Sequence, residues 1–215
     1  MNRKILITGS KGFVGSVLGN HLRRVGFEVI DCFENLSDTE KLNDLFESAR
    51  PEIVIHLAAK LDKFRLGREK DSFFEINLMG ALNIINLCVK YGAKMIYFSS
   101  ISAEFYQTKY GNKYGISKAL AEDLVKAFTI NQGLKAVVVR PCTLYNEVNG
   151  KNIDRFGREE NVKRGDWYPL SKICLLVEKI VINDEFEKFK IYKTKLFRHY
   201  LNYLQIKIKK VFSLI

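Results

Sequence analysis

Tyr114 and Lys118 are two residues whose types and spacing could support proton transfer. They lie four positions apart in a stretch, roughly residues 110–131, whose apolar spacing predicts a helix, so both side chains share one helix face. A tyrosine with its usual pKa of about 10 is a poor base at neutral pH, but a nearby ammonium group stabilises the phenolate and lowers that pKa. The pair is therefore a candidate acid/base centre, although Tyr-x-x-x-Lys also occurs by chance and needs support from other motifs.

A glycine-rich loop near the N-terminus predicts a phosphate-binding site. The segment Gly9-Ser10-Lys11-Gly12-Phe13-Val14-Gly15 follows an apolar run and precedes a helical pattern. In this setting Gly9 allows a tight turn, Gly12 lets the backbone approach a pyrophosphate, and Gly15 lets the helix pack closely on the strand. Backbone N–H groups at the helix N-terminus then face the phosphates. We therefore predict that the chain binds a nicotinamide dinucleotide.

Asp31, at the end of the second predicted strand, favours NAD over NADP. A carboxylate at this point accepts hydrogen bonds from the adenosine ribose hydroxyls and repels a 2′-phosphate. The residues that follow, Cys32-Phe33-Glu34, place no arginine next to Asp31 in the sequence. NAD is the predicted cofactor, and NADP is the less favoured alternative.

The order of the apolar segments predicts the fold. Strands are expected at residues 4–8, 27–31, 53–57, 94–99 and 135–140, and helices at roughly 13–25, 38–49, 71–91 and 110–131. The strand segments are almost continuously apolar, which is typical of parallel strands covered on both faces. Regular alternation of strand and helix predicts an α/β protein with a doubly wound parallel sheet, a Rossmann fold, whose ligands bind at the C-terminal ends of the strands.

The sequence divides into three predicted regions. Residues 1–145 form the dinucleotide-binding domain, residues 146–185 form a reduced substrate-binding region with one helix over 169–182, and residues 186–215 form a basic amphipathic tail helix. The tail holds most of the net charge of +11, so we predict no nucleic-acid binding by the domain. Basic residues interleaved with aromatic ones suit an anionic membrane surface, and equally suit packing against the domain or a partner.

Composition limits the remaining classes. The cysteines are widely scattered and are interpreted as buried apolar side chains, and the histidines lack metal-ligand spacing, so no metal site is predicted. Lys4-Ile5-Leu6-Ile7-Thr8 is too short for a signal peptide, and no apolar run approaches the roughly 20 residues that cross a bilayer. We expect a cytoplasmic protein, with peripheral contact at the inner face of the membrane as an alternative for residues 186–215.

Several motifs in the correct order make residues 3–145 resemble the extended short-chain dehydrogenase/reductase family. This family contains NAD-dependent epimerases and dehydratases that act on nucleotide sugars. The motifs are the loop in Gly-x-x-Gly-x-x-Gly spacing, His56-Leu57-Ala58-Ala59, Asn77, Ser99-Ser100, Tyr114-Gly115-Ile116-Ser117-Lys118 and Arg140-Pro141. The resemblance implies a nucleotide-sugar substrate, and a homodimer is a further expectation.

The same resemblance implies roles for individual residues. Tyr114 would exchange a proton with a sugar hydroxyl or keto oxygen while hydride passes to or from nicotinamide C4, Lys118 would bond the nicotinamide ribose, and Ser100 would hydrogen-bond the reacting oxygen. Asn77 would tie the central strands to the active-site helix, and His56 is expected to be a packed strand residue. Cofactor contacts are expected from Gly9, Lys11, Gly12, Phe13, Val14, Gly15, Asp31, Leu57, Ala58, Ala59, Asn77, Tyr114, Lys118 and Pro141.

The sequence also departs from the family pattern. Ile101-Ser102-Ala103 replaces the usual Val-Tyr-Gly, the segment between Ser100 and Tyr114 is short, and only residues 146–182 are available as a substrate domain. No acidic pair lies after Ser100, which ranks a 4,6-dehydratase below an epimerase or a ketoreductase. The alternative from another class is a non-catalytic dinucleotide-binding scaffold of a polysaccharide-synthesis assembly. Retention of Ser100, Tyr114 and Lys118 argues against that alternative.

Overall fold

A six-stranded parallel sheet forms the centre of the molecule. The structure is a computed structural model and describes residues 3–61, 74–108, 112–159 and 167–194. The strands of this sheet are β1 (Lys4–Thr8), β2 (Glu28–Cys32), β3 (Ile53–His56), β4 (Lys94–Phe98), β5 (Ala136–Arg140) and β9 (Lys190–Lys193). They lie in the order β2-β1-β3-β4-β5-β9, and every pair is parallel. The predicted parallel sheet is confirmed.

Helices cover both faces of this sheet, as the doubly wound fold requires. They are α1 (Phe13–Arg24), α2 (Thr39–Ala49), α3 (Gly80–Tyr91), α4 (Lys113–Asn131) and α5 (Leu170–Ile182). A π-helical turn, Phe74–Met79, precedes α3, and a 3₁₀ turn, Ile101–Phe105, follows β4. Apolar residues of α1 and α5 pack on one face of the sheet, and those of α2, α3 and α4 pack on the other.

Burial on both faces explains why the strand segments are almost continuously apolar. Along β1, Ile5 and Ile7 belong to the core under α1 and α5, whereas Leu6 belongs to the core under α2 and α3. Successive side chains of a strand point to opposite faces, so neither face tolerates polar alternation here. The same argument applies to Val137, Val138 and Val139 of β5, which are all fully buried.

Side chains at two helix N-termini explain where the helices begin. The Asp38 carboxylate accepts a hydrogen bond from the Lys41 backbone N–H at 3.1 Å, and the Asn112 side chain accepts one from Gly115 N at 2.7 Å. Each satisfies a backbone donor that the first helical turn leaves without an intrahelical partner. The second cap matters for function because α4 carries Tyr114 and Lys118.

A small second sheet occupies part of the predicted substrate-binding region, residues 146–185. It consists of β6 (Leu144–Val148), β7 (Lys151–Ile153) and β8 (Tyr168–Pro169), in the order β7-β6-β8. Asn149 and Gly150 have positive φ angles of 51° and 74° and join β6 to the antiparallel β7. Asn-Gly between two strand-forming segments is a strong hairpin signal, and it was the available clue.

The prediction of a helix over residues 186–215 is wrong for its first part. Lys190–Lys193 forms strand β9, which pairs with β5 so that Lys193 lies opposite Arg140. Strand β5 would otherwise present unpaired backbone groups at the sheet edge, and pairing with β9 satisfies them. The rest of the predicted tail helix, residues 195–215, lies outside the described residues. Among the described helices, none has both the length and the apolar character needed to cross a membrane.

Candidate active site

The glycine loop forms a cradle that has no room for a side chain at Gly9 or Gly15. A Cβ added at Gly15 would lie 2.3 Å from the Gly9 carbonyl oxygen, and one at Gly9 would lie 2.8 Å from Ala58 N. Gly9 also has a φ of +70°, which side-chain-bearing residues rarely adopt. Gly12 caps α1 without a side-chain hydrogen bond, which leaves backbone donors at this helix end for an anion. This geometry fits the pyrophosphate of a dinucleotide.

A cavity of about 520 Å³ opens where the loop meets the C-terminal ends of the strands. This volume is within the usual range for small-molecule and cofactor sites. Among the predicted site residues, those that line it are Gly9, Gly12, Phe13, Val14, Gly15, Leu57, Ala59, Ser100, Tyr114, Lys118 and Pro141. The lining does not include Lys11, Asp31, Ala58 or Asn77. The chain continues from β1 to β2 on one side and from β3 to β4 on the other side of the sheet. The cavity therefore lies at the switch point between β1 and β3, where such folds bind ligands.

Ser100, Tyr114 and Lys118 come together because α4 approaches the 3₁₀ turn closely. A Cβ at Gly115 would lie 2.6 Å from the Ser102 carbonyl oxygen, so glycine permits this approach. Ser100 begins the 3₁₀ turn and accepts a hydrogen bond from Ser102 N at 3.2 Å, and its hydroxyl lies near enough to Tyr114 to act on the pKa of the phenol. A serine hydroxyl and a tyrosine hydroxyl thus converge on one point of the cavity.

Lys118 lies beneath this pair in a nearly solvent-free position. Its side chain is buried, and Nζ donates a hydrogen bond to the Phe98 carbonyl oxygen at 2.7 Å. Nζ also lies 4.9 Å from the ring centroid of Tyr97 and 6.0 Å from that of Tyr114. Burial lowers the pKa of Lys118 to about 7, and the charge of Glu122 opposes that effect.

The expectation that Lys118 lowers the pKa of Tyr114 is not what this structure gives. Burial raises the pKa of Tyr114 above 10, and the two effects that act to lower it are the Ser100 hydrogen bond and the charge of Arg155. The physical reason is that burial disfavours the charged forms of both the phenol and the lysine. Arg155 is a cavity residue that the sequence interpretation did not single out.

Asn77 ties the strand end at Lys60 to the helix that carries Tyr114. Its Oδ1 accepts a hydrogen bond from Lys60 N at 2.7 Å, and its Nδ2 donates to the Lys60 carbonyl oxygen and to Ser117 Oγ, each at 3.0 Å. Asn77 is buried, so these three hydrogen bonds occupy a side chain that has little access to solvent. This arrangement matches the structural role that the sequence interpretation allowed for it.

Asp31 does not stand free at the adenosine end of the predicted site. Its carboxylate accepts a hydrogen bond at 2.5 Å from Arg23, which the helix α1 supplies. No arginine is next to Asp31 in the sequence, but Arg23 lies beside it in the folded chain, so the prediction of an Asp31 without a neighbouring arginine is wrong. Phe33 follows strand β2, is exposed, and has the Lys11 ammonium 4.2 Å from its ring centroid.

His56 is a packed strand residue, as expected. Its Nδ1 lies 2.9 Å from Thr8 Oγ1, and its ring stacks on Tyr97 at a centroid separation of 5.8 Å. Burial, together with the charge of Lys118, lowers the pKa of His56 to about 3. The neutral ring therefore belongs to the folded state throughout the physiological range.

This burial predicts a pH dependence of stability. Between pH 6.5 and about 3 the unfolded chain binds a proton at His56 that the folded chain does not, so stability falls as pH decreases. The slope from this group is at most about 1.4 kcal/mol per pH unit. Between pH 7.5 and 5.0, the free energy of unfolding measured with urea should therefore fall by about 2 kcal/mol less in His56→Gln than in the wild type. Equal losses in the two proteins would contradict the assignment.

The far side of the cavity consists of residues that sequence reasoning missed. Asp154, Arg155, Phe156, Arg158 and Trp167 all line it. Asp154 is buried and organises the loop, because its Oδ1 accepts hydrogen bonds from Phe156 N at 2.8 Å and Arg158 N at 2.9 Å. Both guanidinium groups lie close to the exposed Phe156 ring: the Cζ atoms of Arg155 and Arg158 are 4.9 and 4.6 Å from its centroid. The Asp-Arg-Phe-Gly-Arg run was the only signal for this feature.

Cys142 also departs from the interpretation of the cysteines. Cys32, Cys88 and Cys174 are buried, as expected, but Cys142 is only partly buried and lines the cavity. It follows Pro141 directly after β5, so its position at the strand end explains its access to the site.

Comparison with known proteins points to one family. Residues 5–159 match the model of the NAD dependent epimerase/dehydratase family. A UDP-glucose 4-epimerase of Rhizobium meliloti is 23% identical over 168 residues, which cover 65% of this chain and 51% of that protein. The chain thus spans about half the length of the curated relatives it matches.

Solved structures share the fold. A Thermus thermophilus UDP-glucose 4-epimerase in complex with NAD superposes with a TM-score of 0.71 and 21% identity, covering 88% of this chain and 76% of that one. A Bacillus anthracis dTDP-4-dehydrorhamnose reductase in complex with NADP also reaches 0.71, at 19% identity, covering 92% and 76%. The glycine cradle, the Ser100, Tyr114 and Lys118 cluster and the family match over most of the chain agree: this protein belongs to the NAD dependent epimerase/dehydratase family.

Proposed function

We propose that this chain is a nicotinamide-dependent enzyme that acts on a nucleotide-activated sugar, as an epimerase or a ketoreductase. The observation that carries the proposal is the convergence of Ser100 and Tyr114 above Lys118 in the same cavity as the glycine cradle. A cradle that only glycine fits supports a bound dinucleotide, with Gly12 and the α1 N-terminus at its pyrophosphate. When bound, the nicotinamide supplies the hydride donor or acceptor at C4.

Tyr114 is the proposed acid/base group. Its hydroxyl, on the first turn of α4, exchanges a proton with the sugar oxygen, and Ser100 holds that oxygen by a second hydrogen bond. Lys118, beneath the tyrosine, is placed to hydrogen-bond the nicotinamide ribose with the donors that Phe98 does not use. Arg155 contributes positive charge that favours the phenolate when Tyr114 acts as a base.

The substrate side of the cavity supports a nucleotide sugar. Arg155 and Arg158 offer guanidinium groups of the kind that pair with diphosphate oxygens, and Phe156 and Trp167 offer rings for a base or a sugar face. Asp154 fixes this loop from within. Relatives described as UDP-glucose 4-epimerases agree with this substrate class. The segment after β7 and the residue before β8 thus supply the proposed contacts to the substrate.

The cofactor preference and the oligomeric state are further parts of the proposal. NAD is the proposed cofactor, in keeping with the family description, and NADP is the alternative to be compared with it. Because Arg23 holds Asp31, the preference depends on whether the carboxylate or the arginine meets the adenosine ribose. Homodimer formation and contact of residues 186–215 with a membrane remain predictions.

The direct test is turnover on a panel of nucleotide sugars. The purified chain is incubated with UDP-glucose, UDP-galactose and dTDP-4-keto sugars, with NAD⁺, NADH or NADPH added, and products are identified by chromatography and NMR. Product analysis is essential because an epimerase returns its hydride and gives no net change in absorbance at 340 nm. We expect conversion of at least one sugar. Tight NADH binding without any product would instead favour the dinucleotide-binding scaffold.

A further inference from the structure

Arg140, at the end of β5, binds two carboxylates that belong to two different active-site elements. Its Nε and Nη2 donate to the two oxygens of Glu122 at 2.9 and 2.5 Å, and its Nη1 donates to Glu104 at 2.8 Å. The Glu122 side chain is 6% exposed and that of Arg140 is 13% exposed. A guanidinium group makes such a contact well because its donors form a rigid planar fork.

The two carboxylates lie on the segments that carry the proposed catalytic groups. Glu122 is on α4, one turn after Lys118 and two turns after Tyr114. Glu104 is on the 3₁₀ turn that Ser100 begins. The two segments also touch directly, since Gly115 packs against Ser102. Arg140 therefore joins, from the end of β5, the two segments whose separation sets the distance between Ser100 and Tyr114.

The C-terminal strand β9 adds a third member to this arrangement. Lys193 Nζ lies 2.7 Å from Glu104 Oε1, the same oxygen that Arg140 binds. Thr194, the residue after β9, accepts a hydrogen bond from Cys142 N at 2.8 Å and so holds the cavity segment that follows β5. The C-terminal segment thus contacts the active-site wall through the charge of Lys193 and the hydroxyl of Thr194.

We propose that Arg140 is a positioning residue, and that Glu104, Glu122, Arg140 and Lys193 together form a clamp that sets the geometry of Ser100 against Tyr114. Only the expected effect of the clamp on turnover rests on the proposed function. Through Lys193, the clamp couples the C-terminal strand to the active site. The competing interpretation is an ion-pair network that stabilises the fold and has no bearing on the reaction.

Two lysines of β9 provide a matched pair of variants. Lys193 and Lys190 have similarly exposed side chains, 55% and 50%, but Lys190 pairs with Glu185 at the other end of the strand. Lys193→Met and Lys190→Met therefore remove the same charge from the same strand, and only the first touches the clamp. Arg140→Lys keeps the charge of Arg140 and loses the planar fork.

Hydrogen exchange on the full chain tests the clamp without any substrate. We expect Arg140→Lys and, more weakly, Lys193→Met to speed amide exchange in peptides covering both residues 100–106 and 112–122, while Lys190→Met leaves both unchanged. Lys193→Met and Glu104→Gln change partly exposed side chains, so they test the clamp even if Arg140→Lys does not fold. Unchanged amide exchange in both variants would overturn the clamp. This readout holds even if no sugar on the panel is converted.

A turnover assay distinguishes a positioning role of Arg140 from a role in fold stability alone. We expect Arg140→Lys to lower kcat by about 10- to 100-fold with NADH affinity within about threefold, since misplacement of a reacting group by about 1 Å has effects of this size. The loss should nearly vanish when Arg140→Lys is added to Ser100→Ala, because the clamp acts through Ser100. Fully additive losses, or an unchanged kcat in Arg140→Lys, would contradict a positioning role.

Discussion

Replacing Tyr114 with phenylalanine is expected to lower turnover by about 10²- to 10⁴-fold, the usual contribution of a positioned acid/base group. The substitution removes only the hydroxyl next to Ser100, and it keeps the ring that lines the cavity beside Lys118. NADH affinity should therefore stay within about threefold of the wild-type value, because ring contacts and the glycine cradle are unchanged. Product formation on the converted sugar and quenching of NADH fluorescence measure the two quantities separately.

Tyr106→Phe is the matched control for this experiment. Tyr106 follows the 3₁₀ turn, its hydroxyl accepts a hydrogen bond from Gln107 at 2.8 Å, and it does not line the cavity. Its loss should leave kcat unchanged. Turnover that survives in Tyr114→Phe would rule out Tyr114 as the acid/base group and would direct attention to Ser100 or to a bound water.

Gly15→Ala should abolish binding of the dinucleotide. The new Cβ would lie 2.3 Å from the Gly9 carbonyl oxygen and 2.7 Å from Ser10 Cα, and both are backbone atoms that cannot rotate away. The helix α1 must move off the loop, which separates the backbone donors from the phosphates. We expect NADH affinity to fall by at least about 100-fold and the free energy of unfolding to fall by about 1–3 kcal/mol, the usual range for overpacking.

Gly19→Ala is the control, because it changes the same residue type one turn later in the same helix. Its new Cβ would lie 3.3 Å from the end of the flexible Arg23 side chain and 3.7 Å from an Ile7 methyl group. Alanine also favours a helix over glycine by about 1 kcal/mol, so stability should hold or rise. Fluorescence titration with NADH and urea unfolding give both readouts. Normal NADH affinity in Gly15→Ala would show that the dinucleotide does not use this loop.

Local patterns in the sequence determined most of the central fold. The apolar runs at 4–8, 53–57 and 135–140 became β1, β3 and β5 with ends shifted by no more than one residue, because a strand buried on both faces must be apolar throughout. The glycine spacing likewise predicted the cradle, since its turn and its close backbone contacts involve residues only a few positions apart.

Contacts between distant residues were decided by tertiary structure alone. Arg23 reaches Asp31 because α1 packs against β2, and Arg155 comes near Tyr114 because the loop after β7 lies at the cavity. Neither contact leaves a periodic trace in the sequence, since periodicity reports which face of one element is buried and not which element covers it.

The C-terminal strand β9 is another feature that depends on tertiary structure. Lys190–Lys193 belongs to the basic and aromatic segment, residues 186–215, for which we predicted one amphipathic helix, yet it forms a strand beside β5. The sequence determined a Rossmann sheet, its dinucleotide loop and the Tyr114 and Lys118 pair, because each depends on neighbours within a turn or a strand. Only the tertiary structure decided that β9 would pair with the edge of β5 and that Arg140, Glu104 and Lys193 would meet there. The reason is that an exposed strand edge, and charges brought together from separate elements, exist only once the sheet has formed.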